Sequence, residues 1–324
     1  MLTYILRRFL YSIPVLVAAS FLIFAFTVTT ADPLSELKQV RNVNQNAIAL
    51  ITKEKHLDKP VIVRYGYWVR DAVTNKFGTT IFGDRPIWND LKRVIPNTLQ
   101  LLLAAEIFSV LFAVIIGVYS AIRQYSVFDY LATSFSFLGL AVPVFWLALI
   151  LQVVFTNIFL KWDIRIFYTA QLSSVDPGHG FHFFVDRVQH LVLPVTTLVV
   201  VNVAGYSRYM RASMLEVINS DYVRTARAKG LTERRTIMKH AFRNALIPLT
   251  TLVALDLGLL FGGAVITETI FALDGMGLYF IHALDDGDPY PLMAWLMITA
   301  VMIVIGNLVA DIAYGFLDPR IRYE

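Results

Sequence analysis

Six blocks of about 20 or more mostly apolar residues punctuate this chain, and no other feature restricts its fold so severely. A helix of that length crosses the roughly 30 Å hydrocarbon core of a bilayer. Inside lipid, only helices and closed barrels can satisfy their own backbone groups. The blocks lie at roughly 9–29, 97–122, 131–159, 189–209, 249–271 and 290–316. They read as six transmembrane helices of an all-α integral membrane protein. Composition agrees: 57% of the residues are hydrophobic and only 16% charged, against about 25% charged in ordinary soluble domains. Pro143 within the third block and Pro194 near the start of the fourth are tolerable, because neighbouring helices can satisfy the freed carbonyls. Arg7 and Arg8 ahead of the first block suggest a secretory signal, but the apolar run is too long and no small-x-small site follows; it reads as an uncleaved first span.

An even number of spans puts both termini on one side. The segments on that side, 1–8, 123–130, 210–248 and 317–324, hold thirteen Lys and Arg, whereas 160–188 and 272–289 hold three. The positive-inside rule places the richer side, and both termini, in the cytoplasm. The connection at 30–96 is too long to count in that comparison. Its aromatic residues Tyr65, Tyr67, Trp68, Phe77, Phe82 and Trp88 stand among charges, which suggests a partly folded outer domain. It reads either as a cap over the outer helix ends or as a docking platform for an external partner. The chain thus divides into a first span (1–29), an outer loop domain (30–96), a transmembrane core (97–316) containing a cytoplasmic segment (210–248), and a tail (317–324).

Several chemistries find no support. The chain has no G-x-x-x-x-G-K-[ST] loop for ATP phosphates and no H-E-x-x-H zinc motif. It has no G-x-S-x-G elbow and no cysteine, so nothing argues for an enzyme. His179, His182 and His190 cluster near Asp176 and Asp186, but solvated loop histidines account for them better than a metal does. The basic residues divide between short membrane-flanking loops and a long loop with seven acids, so no nucleic-acid-binding face forms. Ionisable residues within spans are Glu106, Asp256, Glu268 and Asp311. Such groups are costly in lipid and face a bundle interior or an aqueous path. Glu268 and Asp311, near span ends, fit simple helix–helix bonding; Glu106, Asp256 and, less strongly, Glu268 are candidates to line a translocation path. Around Asp256, Gly258, Gly262 and Gly263 provide the small-residue spacing that lets helices pack closely.

The stretch from Asp221 to Pro248 is soluble in character between two apolar runs, with seven Lys or Arg against two acids. Asn219, Ser220 and Asp221 offer N-caps for a two-turn helix from Tyr222 to Lys229. Gly230 stands where a left-handed C-terminal residue is expected. Thr232 is the next N-cap, with Glu233 in the favourable first turn. A second helix to about Ile247 would lie at the membrane surface and turn Ile237, His240, Ala241 and Leu246 to lipid. The first helix is too short to anchor itself and suits insertion into a cytoplasmic partner.

These residues carry a family resemblance. "YVRTARAKG" followed by "RNALIP" resembles the cytoplasmic coupling loop of ABC-transporter permeases, with Gly230 at its characteristic glycine. Where the motif expects Glu-Ala-Ala, the chain has Arg224-Thr225-Ala226, the form of the peptide-permease branch. "YILRRFLYSIPVL", "FGTTIFGDRPIWNDLKRVIPNTLQL", "LGLAVPVFWLALIL", "GGAVITETIFALDGMG" and "LDPRIR" are similar to successive parts of oligopeptide and dipeptide permeases. Asp274-Gly275 departs from the Pro-Gly often found there.

The resemblance implies a type I ABC importer permease that pairs with a second, homologous permease. It implies two cytoplasmic ATPase subunits that bind ATP and magnesium, with no cofactor in this chain. It also implies an external substrate-binding protein docking near 30–96. Asp221, Tyr222, Arg224, Ala226, Arg227, Lys229 and Gly230 would form the coupling element toward an ATPase, with Arg224, Arg227 and Lys229 in contact with it. The location would be the bacterial cytoplasmic membrane and the cargo peptide, with nickel or a modified peptide such as glutathione as alternatives. A stand-alone ion-coupled transporter using Glu106 and Asp256 is the competing class, and it predicts uptake without ATPases.

Overall fold

The computed structural model describes residues 2–30, 34, 45–74, 76–81 and 83–317, with side chains omitted at 2–6, 8–9, 30, 47, 257–263 and 310–317. Phe82, the tail at 317–324 apart from Leu317, the side chain of Asp311 and the glycines around Asp256 therefore lie outside the described residues or side chains.

Helix α1 spans Leu2–Thr30. Two short helices, α2 (Gln45–Glu54) and α3 (Val61–Thr74), build the outer loop domain. Helix α4 (Ile87–Ile122) is the second apolar block, begun ten residues earlier by an amphipathic stretch. Helices α5 (Val127–Ala141) and α6 (Val144–Trp162) follow, then α7 (Phe181–Ile218) and the two-turn α8 (Asp221–Ala228). A single turn, α9 (Glu233–Arg235), leads through a π-helical stretch at Thr236–Ala241 into α10 (Phe242–Gly263). Helices α11 (Val265–Ile270), α12 (Met276–Asp285) and α13 (Pro289–Leu317) complete the chain. Among the described residues, β structure is limited to one isolated bridge, Thr79 with Pro86.

The third apolar block is not one helix. Val142 and Pro143 are both extended, with ψ of 121° and 135°, and separate α5 from α6. Proline cannot continue the helical ladder and holds its predecessor out of the helical region. Both pieces nonetheless run along α7 in one direction. Asp129 meets Arg211, Ser136 meets Ser207, and Gly139 faces Ala204. Ala148 then packs in a cluster with Leu193 and Val195. One bent crossing results, comparable in length to α4.

The long helices α4 and α7 run parallel, with Asn97 meeting Arg187 at one end and Ser120 meeting Arg211 at the other, and form the spine of the bundle. Toward one end, Leu101, Leu102, Ala105, Leu193, Leu198 and Phe271 pack together; toward the other, Ala113, Met210, Met214, Val223, Ala241 and Leu249 do so. Helix α1 stands at the periphery against α13 and α3, and exposes Leu10, Val15, Leu22 and Phe26, as a lipid-facing span would. The outer domain is tied down rather than loose. Trp68 of α3 packs with Phe24 of α1 and Met293 of α13. Asp288, the residue before α13, accepts the Ile81 amide at 2.6 Å and the Tyr290 amide at 3.0 Å. Burial pushes the Asp288 carboxyl above its usual range, and those two donors keep it satisfied.

Candidate coupling element and membrane-embedded acids

Helix α8 forms where expected. Ser220, in an extended conformation, precedes it, but its hydroxyl donates backward to the Val217 carbonyl at 2.6 Å instead of capping forward. The helix has an inner and an outer face. Val223 and Ala226 are buried, and Val223 packs in a cluster with Met214, Ile237 and Ala241, fixing the helix to the bundle. Asp221, Tyr222, Arg224 and Lys229 are exposed. Tyr222 also bonds inward, its hydroxyl accepting from Asn244 Nδ2 of α10 at 3.0 Å.

Arg227 is half-buried beside that surface. Its guanidinium makes two hydrogen bonds to Glu233, at 2.8 and 3.1 Å, and reaches the Ile218 carbonyl at 3.4 Å. It is a strut across the turn. The bond from Arg227 holds the Glu233 carboxyl below its usual range. The pair is therefore intact at neutral pH and is lost only as acidification passes that depressed value; exposure to water keeps its contribution small.

Gly230 has φ +77°, and a Cβ built there meets nothing within 4 Å. The left-handed backbone, not crowding, is what suits glycine here. Thr232 does occupy the position before α9, though its side chain makes no cap bond. The next stretch differs from expectation. It is π-helical rather than α-helical and runs directly into α10. Its stripe does not face lipid: Ile237 and Ala241 are buried in the protein, with Leu246 packed against them. Hydrophobic periodicity identifies an apolar face but not whether lipid or protein covers it. Helix α8, held through Val223 and Ala226, is the cover. The Ser213 hydroxyl adds a 2.9 Å bond to the Ala245 carbonyl, joining α7 to α10.

At the same end of the bundle is a pair that sequence reasoning missed. Arg211 of α7 donates through Nε and Nη2 to both carboxylate oxygens of Asp129 on α5, at 2.7 and 2.8 Å. Asp129 also accepts the Tyr125 amide at 2.9 Å and the Ser120 hydroxyl. Its side chain is 4% exposed. No local spacing signals this clamp, since its partners are 82 residues apart.

The membrane-embedded acids fall into two environments. Glu106 of α4 is 5% exposed, and among the described residues neither carboxylate oxygen has a hydrogen-bond partner. Tyr206 of α7 donates to Asp256 Oδ2 of α10 at 2.8 Å, and both acids act electrostatically on that tyrosine. Three helices thus bring two carboxylates and a phenol together between the two apolar clusters. Glu268 of α11 is different. It accepts the Thr98 hydroxyl at 2.6 Å and the Gly277 amide at 2.6 Å, and Thr98 accepts the Met276 amide at 2.7 Å. A Cβ on Gly277 would overlap the Val265 backbone. Glu268 is fully buried inside this lock between α4, α11 and α12. Near the histidine-containing loop, Asp186 accepts the Ser174 amide and hydroxyl, and His190 is buried and stacked on Tyr168 at 3.9 Å. Among the described residues no three His, Asp or Glu side chains converge as metal ligands.

Comparison with known proteins accounts for this architecture. The family described as binding-protein-dependent transport system inner membrane component matches residues 113–323, and its N-terminal companion matches residues 1–102. The oligopeptide transport system permease protein AppB of Bacillus subtilis is 38% identical over 325 residues, covering 100% of both chains. The dipeptide transport system permease protein DppB of Escherichia coli is 33% identical over 341 residues, and the di/tripeptide permease DppB of Pseudomonas aeruginosa 35% identical over 337, each covering 100% of both chains. With full-length relatives, a multi-span helical bundle and a short two-faced helix at one end of it, this chain belongs to the binding-protein-dependent transport system inner membrane components, the membrane-spanning permease subunits of ABC importers with the type I fold.

Proposed function

We propose that this chain carries short peptides across the bacterial cytoplasmic membrane as one of two homologous permeases, driven by two cytoplasmic ATPase subunits that bind ATP and magnesium. An external binding protein delivers the cargo near the 30–96 domain, and both termini are cytoplasmic. The single observation that carries this reading is the two-faced α8, anchored through Val223 and Ala226 and presenting Asp221, Tyr222, Arg224 and Lys229 outward. A two-turn helix with a fixed inner face and a polar outer face suits a protein cleft better than a lipid surface. Its displacement would reach α10 through the Tyr222–Asn244 bond, the buried Val223 and the Gly230 bend. Arg224 and Lys229 meet the ATPase; Arg227 keeps the two arms of the loop at a fixed separation.

The chain contains no cysteine, which makes the test direct. In the complete transporter, Arg224→Cys is expected to cross-link to a cysteine on the ATPase, and Val223→Cys, on the buried face, is not. Equal cross-linking at both positions, or none at Arg224→Cys, would sink the assignment.

Glu106, Asp256 and Tyr206 line the moving seam between α4, α7 and α10 and take the polar groups of a passing peptide; Glu268 stands at the outer end of that seam as its fixed edge. Intramembrane acids with an unpartnered carboxylate are expensive and are kept for such a role. Asp256→Asn and Glu106→Gln, near-isosteric changes, are each expected to lower uptake by about tenfold with little change in assembly. Uptake at the unmodified rate in both variants would show that these acids are structural.

A further inference from the structure

The outer domain holds a cavity that none of these roles uses. It has a volume of about 340 Å³ and lies between α2, α3, the turn before α4 and the start of α13, within the size range of small-ligand sites. We propose that this cavity is a binding site for the carboxylate of a short peptide, with the Arg64 guanidinium and the Trp68 indole as its donors.

Arg64 and Trp68 are four residues apart on α3 and so share one face of the helix. Arg64 Nε and Trp68 Nε1 are both buried, and among the described residues neither has a hydrogen-bond partner. Guanidinium and indole N–H groups donate and cannot accept. An unmet buried donor is costly, the more so when charged; neither nitrogen opens into the cavity as it stands, so a ligand that supplies acceptors meets them by drawing the two side chains toward it. Arg64 calls for an anion, and its planar fork matches a carboxylate in two-point contact. The other cations in the wall are already engaged: Lys55 Nζ bonds Thr79 at 2.7 Å and Asp84 at 3.0 Å, and Arg70 lies 3.3 Å from Asp71.

The rest of the wall narrows the ligand class. Glu54, Asp71 and Asp84 also line the cavity. They disfavour a multiply charged phosphate but suit a zwitterion, whose ammonium end can turn toward Glu54 while its carboxylate meets Arg64. Tyr67 and Tyr290 provide aromatic surface for peptide side chains. The inference rests on the reading of peptide as cargo, but the site is separate from the α4–α7–α10 seam.

The test uses the purified full chain in lipid nanodiscs with no partner present, and radiolabelled alanyl-alanine as the probe. Saturable binding is expected. Converting the probe to its C-terminal amide should weaken it about tenfold or more, as should Arg64→Gln. Trp68→Phe, which keeps the ring against Phe24 and Met293 but removes the N–H, should weaken it several-fold. Inorganic phosphate should not compete. Equal binding of acid and amide, unchanged binding in Arg64→Gln, displacement by phosphate, or no saturable binding each overturns the proposal. Dipeptide uptake by the complete wild-type transporter with no binding to the isolated chain would overturn the site and leave the transport reading intact; no uptake of any peptide would overturn the transport reading.

Discussion

Gly230→Val is expected to cut ATP-driven uptake by tenfold or more while ATP hydrolysis by the assembled transporter continues. The cause is the sign of one dihedral. At φ +77° an L-residue incurs about 1–2 kcal/mol of backbone strain. Surrounding space is free, so the strain cannot be blamed on a clash. The cheapest relief is to rotate the bend, which changes the angle between α8 and the π-helical stretch. Helix α8 would still dock, but its motion would no longer be delivered to α10 in the right direction. Asparagine tolerates the left-handed region better than other residues with a side chain. Gly230→Asn should therefore retain most uptake and serves as the control for backbone geometry. The measurement is peptide transported per ATP hydrolysed, in proteoliposomes. Undiminished uptake in Gly230→Val would remove Gly230 from the coupling mechanism.

Arg211→Met should produce the largest loss of stability, about 3–5 kcal/mol, because it strands a buried carboxylate. Asp129 keeps its bonds from Tyr125 and Ser120 but loses both charged donors. The double replacement Arg211→Met with Asp129→Leu should recover much of the loss, since removing a whole buried pair is often close to neutral. Thermal unfolding of the detergent-solubilised chain reads both. A single variant as stable as the unmodified protein would mean that water reaches Asp129 freely. A double variant no better than the single would mean that the Tyr125 turn, not the charge pair, is what α5 depends on.

The spans were legible because lipid imposes a length and a composition that nothing else in a sequence imitates. Their ends were not. Helix α4 begins at Ile87 rather than near 97 because its first three turns are amphipathic and packed by Leu91 and Val94 against Met276 and Trp295. Pro143 was visible in the third block, yet whether it bends or breaks a helix depends on the residue before it and on neighbours along α7. Helix α8 and its glycine bend were legible from local residue types, although Ser220 and Thr232 stand at the cap positions without making the cap bonds. The stripe at Ile237 and Ala241 was legible as apolar but misassigned to lipid, because α8 covers it from outside the local pattern. Arg227 and Glu233 could be seen as charges, but only the fold pairs them. The Asp129–Arg211 clamp, the Tyr206–Asp256 bond and the Thr98–Glu268 lock each join distant segments and had no local signature.

The ties between the outer domain and α13 also bear on how the chain is made. Asp288 holds Ile81 across 207 residues, and the Tyr290 hydroxyl holds the Lys55 carbonyl across 235. Contacts so remote in sequence form late. During synthesis the outer domain leaves the insertion machinery early and must wait, its Trp68 face uncovered, until the sixth crossing arrives with Met293 to close it. The last span is thus a latch for the first folded unit, and a nascent chain halted before residue 288 should offer its outer domain to proteases that the finished protein resists.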